Sequence, residues 1–508
     1  MTFVFVLVVL KMASGQDWFN AKVSSLLQED LRVSTLTELK DHLTSLPHNE
    51  ASHISNVLQL ALVFDCLNDT NTEQVDLACD VLSLCLSNLT LGESTIRYGN
   101  ALERALIHPY SGVKLMALKE IKRSLLNEEV IYNLCDKTAL VINIITCLKD
   151  EDLAVAKEAS DIIFTLGITI PGANRITANE ILVPLEGILN TNEVVRLRVY
   201  EAVVRICVES DYSFQKFIKV GFIHRILAEL KSNDVLLKIN IIEILSYLGQ
   251  CDHGYVFLDQ NGTLNNIVGF MNEDDLTMQL CQPGILRFFG HVAHKKPLDF
   301  FKKYPVVIER LYSNLNIEDM TVLGVSLDTI GYIGQTNEGK LALQSTGNRI
   351  EVAIKNISSK LSSLPTETRI RALNCLENLL RVVDNNNEIV SLSREWYGII
   401  DTDPMDIILR YAKNPFSELK VAGLGILNSI AGQEWGQECI KNTPGLIEFL
   451  LDRSIESVKE CKEAKYDIVK LLSQSTVFDH ITSERLQTFV KEGAFYVYAT
   501  TEVAIEGN

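Results

Sequence analysis

The chain has 508 residues and a formal net charge of −18. Hydrophobic residues make up 47% and charged residues 22%, so there is enough apolar material for a buried core, and wholesale disorder is excluded. Nucleic acid is not an expected partner, because a phosphate backbone is bound by an excess of Lys and Arg.

The first element in the chain is an apolar run of eight residues, from Phe3 to Leu10. It is too short to span a bilayer, which takes about 20 residues. A secretory signal peptide is one interpretation, but no basic residue precedes the run and Lys11 follows it. Met12 offers an alternative start, so we interpret residues 1–11 as a doubtful N-terminal extension. No other stretch of the sequence resembles a transmembrane segment.

The 11 cysteines are odd in number, and no two of them are spaced as Cys-x-x-Cys. Most stand among apolar residues at helical spacing, as Cys79 does. This pattern favours reduced, buried thiols over a disulfide framework or a zinc site. It also favours a reducing compartment, so we expect the chain in the cytoplasm, with the nucleus as a second compartment.

One pattern recurs along most of the chain, at intervals of about 38 to 51 residues, which bracket the length of HEAT and armadillo repeats. Each copy has an acidic or Asn/Pro turn, then an apolar residue, a basic residue, a small residue and an apolar helix. The copies lie at 109–118, 150–159, 192–199, 233–239, 273–276, 318–320, 365–372, 415–422 and 464–466.

The spacing within these copies is helical, and no sustained two-residue alternation appears. The other helix of each unit follows a glycine, as at Gly221, Gly262 and Gly445, which fits a tight turn or a helix end. One hairpin of two helices cannot bury its apolar stripe alone, so stacked hairpins must share a core. The sequence therefore predicts an all-α HEAT/armadillo-type alpha-alpha superhelix, a solenoid of about nine or ten repeats over residues 12–490, followed by a C-terminal tail at 491–508.

A set of basic residues begins the predicted second helices of the units. If those helices line a concave face, the cations can meet acidic groups on a partner protein. The alternative is that they pair with the acidic turns of neighbouring units or cap helix ends. This predicted protein-binding set consists of Lys114, Arg196, Arg198, Lys238, Arg369, Arg371 and Lys420.

The sequence offers little evidence of catalytic chemistry. Residues 334–340 match Gly-x-x-x-x-Gly-Lys, but Leu341 stands where a phosphate-binding loop needs Ser or Thr, so we expect an interhelical turn. His291 and His294 are a candidate metal pair that lacks further ligands. No Gly-x-Ser-x-Gly elbow or Gly-x-Gly-x-x-Gly turn occurs, so we expect no enzyme activity and no cofactor or metal.

Short segments spread over residues 20–508 carry a resemblance to a known family. They are Ala105–Pro109, Ser111–Lys114, Phe288–Gly290, Tyr304–Pro305, Gly324–Val325, Asp328–Thr329, Pro444–Gly445, Asp452–Ser454, Ala464–Tyr466, Glu492–Gly493, Tyr496–Val497 and Glu506–Gly507. With these segments in this order, the chain resembles the 26S proteasome non-ATPase regulatory subunit 5 family.

The resemblance implies a HEAT-repeat chaperone for assembly of the 26S proteasome regulatory particle base. It implies ATPase subunits of the base as partners, held by their C-terminal domains, with other base-assembly intermediates, and absence from the mature particle. We expect no nucleic acid or membrane partner and a monomeric free chain. The alternative is an armadillo-type scaffold or transport adaptor. Such receptors carry regular rows of Trp and Asn on their inner helices, and Trp18, Trp396 and Trp435 form no such row.

Overall fold

All regular secondary structure in the described part of the chain is helical. The predicted extension at residues 1–11 lies outside that part, as does most of the predicted tail. The computed structural model describes residues 16–271, 276–384 and 386–497.

The chain forms two compact units, the first ending at Glu229 and the second beginning at Leu230. The helices of the first unit are α1 (16–25), α2 (Arg32–Ser45), α3 (His48–Val57), α4 (Ala61–Asp65), α5 (Thr72–Ser87), α6 (Glu93–Arg97), α7 (Gly99–Leu106), α8 (Ser111–Ser124), α9 (Glu128–Cys135), α10 (Thr138–Thr146), α11 (Leu153–Gly167), α12 (Ile170–Ile176), α13 (Asn179–Leu189), α14 (Glu193–Glu209), α15 (Asp211–Lys219) and α16 (Phe222–Ala228). Those of the second unit are α17 (Val235–Leu248), α18 (Asp252–Gln260), α19 (Thr263–Phe270), α20 (Leu276–Lys295), α21 (Pro297–Lys303), α22 (Pro305–Asn314), α23 (Met320–Ile333), α24 (Asn337–Gln344), α25 (Asn348–Lys360), α26 (Thr366–Leu380), α27 (Asn387–Ile400), α28 (Pro404–Ala412), α29 (Ser417–Ala431), α30 (Glu434–Asn442), α31 (Leu446–Leu451), α32 (Lys459–Leu472) and α33 (His480–Glu492). Short 3-10 helices cover Glu29–Leu31, Cys147–Lys149 and Glu229–Lys231.

Within each unit, a series of long helices is stacked so that each packs on the one three helices earlier. We call them ladder helices: α2, α5, α8, α11 and α14 in the first unit, and α17, α20, α23, α26, α29 and α32 in the second. Shorter helices precede them, as α9 and α10 precede α11. The all-α HEAT/armadillo-type prediction is confirmed, but these repeats have three helices where the sequence predicts hairpins of two, because the first arm breaks into two short helices.

A short pattern with an aspartate cap starts ladder helices α11, α17 and α23. At the start of α11, Asp152 Oδ1 accepts the Ala154 N–H at 2.8 Å. At the start of α17, Asp234 Oδ1 accepts the Leu237 N–H at 3.1 Å. Three positions after these caps stand Val155 and Leu237, which are 0% and 4% exposed. The acidic turn seen in the sequence therefore caps the helix, at about 1 kcal/mol per cap, and the apolar residue anchors it in the core.

A corner with two glycines follows three of the ladder helices. The first glycine lets the next ladder helix approach, since a Cβ on Gly334 would lie 2.7 Å from Leu379 Cδ2. The second glycine lies in the following short helix, where a Cβ on Gly339 would collide with the Ile333 carbonyl oxygen. The pairs are Gly167 and Gly172, Gly249 and Gly254, and Gly334 and Gly339.

The glycines predicted to precede the other helix of each unit are confirmed as turn residues before α16, α19 and α31. Gly221, Gly262 and Gly445 have φ angles of 78°, 77° and 71°, a left-handed conformation that other residues rarely adopt. None of the 11 cysteines forms a disulfide bond and nine are buried, as the sequence predicts. Burial raises the pKa of Cys85 and Cys375 to about 12.

Among the described residues, no single helix is long and apolar enough to cross a membrane; α9 and α10 satisfy the length and composition only as a pair bent by 94°.

Candidate functional site

The ladder helices bury most of their surface but keep one stripe open to solvent. Six residues before the corner glycine, α11, α17 and α23 carry a carboxylate, at Asp161, Glu243 and Asp328. Glu243 and Asp328 are exposed and Asp161 is half-buried. A solvent-facing charge at the same helical register in different repeats makes this stripe the candidate site for a partner.

The first-unit open face consists of Lys122, Glu158, Asp161, Phe164 and Arg205, on α8, α11 and α14. Lys122 Nζ lies 2.9 Å from Glu158 Oε2 and 2.7 Å from Asp161 Oδ2. Arg205 Nη1 lies 3.7 Å from the other Asp161 oxygen, and its guanidinium lies 4.9 Å from the Phe164 ring centroid. The hydrogen bond to Asp161 raises the pKa of Lys122. Three successive ladder helices are thus joined by half-exposed charges.

The second-unit groove consists of Arg287, His291, Asp328, Tyr332, Asn374 and Asn378, on α20, α23 and α26. It is a cavity of about 340 Å³ with Gly290 and Gly331 in its wall. Burial raises the pKa of the Asp328 carboxyl, and the neighbouring Arg371 opposes that change. The Asp328 to Arg371 distance is 2.9 Å.

The two histidines of the candidate metal pair border the groove. His294 Nδ1 lies 2.8 Å from the carbonyl oxygen of Tyr332, and the two rings stack at 4.0 Å. His291 Nδ1 is buried and has no hydrogen-bond partner among the described residues, and burial lowers the pKa of its ring. No group of three or more metal-ligating side chains occurs in the described parts of the chain.

The groove combines donors, acceptors and both signs of charge. The Asn374 and Asn378 amides can each donate and accept, which suits the alternating N–H and C=O groups of a polypeptide. Arg287 and Asn374 are exposed, whereas His291 and Tyr332 are half-buried. The arrangement can therefore bind polar protein surface by hydrogen bonds and charge pairing.

Two residues of the predicted binding set hold one turn of the first unit. Lys114 Nζ lies 2.6 Å from Asp150 Oδ2. Arg198 Nη1 donates to the carbonyl oxygens of Leu148 at 2.5 Å and Asp150 at 3.3 Å. The turn before α11 is thus held from α8 on one side and from α14 on the other.

Arg196 and Lys238 contact the end of the short helix that precedes the next ladder helix. Arg196 Nε lies 3.6 Å from Glu229 Oε1 in the first unit. In the second unit, Lys238 Nζ lies 5.0 Å from the Phe270 ring centroid. Both cations therefore have a partner one repeat further along the chain.

Arg369 and Arg371 both begin α26 but differ in what they contact. Arg369 donates to the carbonyl oxygens of Ser362 at 3.2 Å and Leu364 at 2.6 Å, in the turn before its own helix. Arg371 pairs with Asp328 at 2.9 Å and with Glu367 at 2.8 Å. Arg371 is the member of the predicted set that contacts a residue of the second-unit groove.

Lys420 belongs to a buried charge cluster. Its Nζ lies 2.8 Å from Glu456 Oε2, and the two side chains are 15% and 3% exposed. Lys465 lies 3.7 Å from the other Glu456 oxygen and donates to the Asp452 carbonyl oxygen at 2.7 Å. Burial lowers the pKa of Lys465 to about 8, although Glu456 opposes this change.

Each of the seven predicted residues therefore has a partner within its own unit. Five stand at the fourth position after the helix cap, namely Lys114, Arg196, Lys238, Arg369 and Lys420. The structure does not bring the seven together into one patch. Their role in binding a partner stays a prediction.

The Gly-x-x-x-x-Gly-Lys segment is a helix corner of the kind that also follows α11 and α17. The Thr336 hydroxyl caps α24 by accepting the Gly339 N–H at 3.0 Å. Lys340 is fully buried, and its ammonium donates to the carbonyl oxygens of Gly334 and, at 2.7 Å, of Asn378. Burial lowers the pKa of Lys340 to about 7. The lysine thus joins the ends of two ladder helices and points away from solvent.

Sequence reasoning missed the open faces, although a signal for them exists. The carboxylates six residues before the corner glycines mark the exposed stripe in three helices, and Asp161 and Asp328 lie at its centre in their units. The cations that meet them, Lys122 and Arg371, come from the ladder helix before or after. That pairing depends on the stacking of the helices.

The comparisons with known proteins agree on the family. A family model described as "Proteasome non-ATPase 26S subunit" matches residues 15–508. The Homo sapiens 26S proteasome non-ATPase regulatory subunit 5 is 30% identical over 500 residues, which cover 96% of this chain and 99% of the human protein. The Drosophila melanogaster protein of the same name is 27% identical, with 97% and 99% covered.

Solved structures support the fold. Importin beta aligns with a TM-score of 0.60 at 12% identity, over 93% of this chain and 59% of the importin. Yeast importin-beta gives 0.58 at 10% identity, over 92% and 65%. At such identities the likeness concerns the helical-repeat fold alone. The family-model match over residues 15–508 and the human relative at 30% identity show that the chain belongs to the proteasome non-ATPase 26S subunit family.

Proposed function

We propose that the chain is a non-enzymatic chaperone for assembly of the 26S proteasome regulatory particle base. It holds ATPase subunits of the base, by their C-terminal domains, on the open faces of its ladder helices, and it is absent from the mature particle. It acts in the cytoplasm and the nucleus. Membership of a proteasome subunit family supports the proteasome context, and the stacked-repeat fold supports a protein as the ligand.

The observation that carries this proposal is the second-unit groove. Its side chains offer amides, a guanidinium and a carboxylate at the surface, which suit the polar surface of a folded protein. A stable interface buries about 1,200–2,000 Å² in total. Exposed side chains of the ladder helices beside the groove must therefore contribute as well. Half-exposed, mutually paired charges favour moderate affinity, since the partner must replace existing ion pairs. Moderate affinity suits a chaperone that later subunits displace.

The first experiment is affinity capture of the full-length tagged chain from cell extract, resolved on native gels. We expect free ATPase subunits and base intermediates to co-purify, and the chain to be missing from intact 26S particles. A stoichiometric amount of the chain in mature particles would contradict the chaperone role. Capture of basic localisation-signal peptides in place of ATPase subunits would favour a transport adaptor.

The second experiment tests the groove. Arg287→Glu and Asn374→Arg change exposed side chains, so the fold should be retained, and we expect capture of ATPase subunits to fall at least tenfold. Arg410→Glu, on the exposed side of α28, is the matched control and should capture like the wild type. Full capture by both groove variants would reject the groove. Variants of Arg196 or Arg369 test this less cleanly, because those cations hold turns of their own unit.

A further inference from the structure

One edge of the first unit carries a row of exposed apolar side chains. The row, which we call the apolar edge, consists of Leu91, Ile96, Leu126, Tyr132 and Ile170, which are 41%, 74%, 76%, 61% and 60% exposed. All five lie in the turns and short helices that follow ladder helices α5, α8 and α11. Single exposed apolar residues are ordinary, but a row of them along one edge marks a binding surface.

The segments that carry the apolar edge lie side by side. Lys137, after α9, donates from Nζ to the Thr95 carbonyl oxygen in α6 at 3.1 Å. Arg175, in α12, donates from Nε to the Cys135 carbonyl oxygen at the end of α9. Helices α9 and α12 also pack directly on each other. The segments that carry the apolar side chains are therefore neighbours in successive repeats.

The fold itself does not require apolar residues at this position. In the second unit, Gln335, Glu434 and Gln474 follow the ends of ladder helices α23, α29 and α32. Exposed apolar residues also follow ladder helices there, namely Val256, Leu298, Val383 and Ile481, at 45%, 51%, 71% and 72%. The fold thus accepts polar side chains in these segments, and in the first unit exposed apolar side chains follow three successive ladder helices.

The cations beside the apolar edge have partners, since Arg97 pairs with Glu93 and Arg175 donates to a backbone carbonyl oxygen, and the charges left unpaired are acidic. Glu128, Glu129 and Asp136, on α9 and just after its end, are exposed, and none lies within ion-pair distance of a cation among the described residues. Glu128 and Glu129 stand in the first turn of α9 and Asp136 precedes the cap of α10, positions where the helix dipole favours a negative charge, and all three carboxylates stay open to a partner. Lys137, the nearest cation in sequence, contacts the Thr95 carbonyl oxygen. A basic partner would complement this surface.

We propose that the apolar edge binds a basic amphipathic helix of a second protein, at a surface separate from the open faces. Helices that pack on one another lie about 8–10 Å apart, and seven residues of an α-helix rise about 10.5 Å. A partner helix that lies along the edge therefore advances by about seven residues from one repeat to the next, so an apolar residue at every seventh position contacts each repeat in turn. Its Lys and Arg residues then face the carboxylates of α9. This is the helix-on-apolar-surface mode of recognition, and it does not depend on the proposed chaperone function.

Site-specific photo-cross-linking tests the occupant. The full-length chain carries the photoreactive residue p-benzoyl-phenylalanine in place of Leu126, or in place of Leu298 as the control. After irradiation in cell extract, mass spectrometry sequences the cross-linked peptides. We expect one adduct, enriched at least tenfold over the control, in a basic segment with apolar residues at seven-residue spacing. Adducts with a second copy of this chain, with lipid or with an acidic or extended segment would overturn the proposal, as would the absence of enrichment.

A double variant separates this surface from the open faces. Ile96→Glu with Leu126→Glu changes two side chains that are more than 70% exposed, so an unchanged melting temperature is expected. This variant carries no cross-linker, and the partner that the cross-linking identified is recovered with it by affinity capture. That recovery should fall at least tenfold, while capture of ATPase subunits stays at the wild-type level. Undiminished recovery of that partner refutes the proposal, and loss of both partners refutes the separation of the two surfaces. If no variant captures ATPase subunits, the proposed chaperone function fails, while the cross-link still decides the apolar edge.

Discussion

Replacing Lys340 by methionine should remove a pH-dependent part of the stability. The Lys340 side chain is fully buried, and burial, reinforced by the positive charge of Arg381, lowers its pKa from 10.5 to about 7. Its ammonium is bound by the carbonyl oxygens of Gly334 and Asn378, and no carboxylate lies within ion-pair distance in the described residues. The folded chain therefore disfavours the charged form of this lysine.

The direction of this pH dependence follows from the pH at which the folded and the unfolded chain each lose the Lys340 proton. Between pH 7 and pH 10.5 the unfolded chain keeps this lysine protonated while the folded chain loses its proton, so the free energy of unfolding rises with pH in this window. Below pH 7 both states are protonated, and the folded state bears the full cost of the buried charge. At about 1.4 kcal/mol per pH unit for one proton, the wild type should gain about 2 kcal/mol between pH 7 and pH 9 relative to Lys340→Met.

The assay is urea unfolding of both proteins at the two pH values, followed by far-UV circular dichroism. Comparison with the variant cancels the titration of every other group. Lys360→Met is the matched control, because Lys360 also donates to a carbonyl oxygen, that of Leu315 at 2.7 Å, but is only half-buried. The same unfolding measurements are made on this control at both pH values. A wild-type advantage over Lys340→Met that stays constant, or that shrinks as the pH rises, would refute the reasoning.

Two further comparisons test the packing of the second unit. Lys420→Met leaves the buried Glu456 carboxylate with only the more distant Lys465, at 3.7 Å, and should lower the free energy of unfolding in urea by about 3 kcal/mol. Arg410→Met, which breaks the exposed pair with Asp406, should change it by no more than about 0.5 kcal/mol. Gly254→Ala drives a Cβ into the Leu248 carbonyl oxygen and should cost about 3 kcal/mol, whereas Gly398→Ala, with open space around it, should be neutral or slightly stabilising in thermal melts. Equal effects within either pair would contradict the structural account.

Much of the fold follows from local rules that a sequence displays directly. An acidic cap with an apolar residue three positions later, as at Asp152 and Val155, predicts where a ladder helix begins and which side is buried. A glycine before an apolar helix, as at Gly221, predicts a left-handed turn. These features depend on neighbouring residues only, so spacing along the chain was enough to predict the helical repeats.

The partners of the charged residues depend on contacts between repeats, which spacing cannot rank. A cation such as Lys114 can meet an acid on the next repeat or an acid on another protein, and the sequence pattern is the same in both cases. The glycine corner, in contrast, can be recognised from the sequence. Because Gly167 and Gly172 repeat the spacing of Gly334 and Gly339, internal comparison identifies the apparent phosphate loop as a recurrent structural turn.

Exposure decides which ion pairs can take part in binding, and this yields a last prediction. The Lys420–Glu456 pair is buried and costly to break, whereas Arg371 and Asp328 are 35% and 48% exposed, a class of pair worth about 0–1 kcal/mol that a partner can replace. The double variant Asp328→Arg, Arg371→Asp keeps the pair within the unit but reverses the charges offered by the groove. The reversal places an aspartate beside Glu367, but Glu367 is 80% exposed, so the repulsion is weak and the melting temperature should stay at the wild-type value. The variant should lose capture of ATPase subunits. Normal capture by a stable double variant would show that the partner does not contact this pair, and would move the interface to another part of the open face.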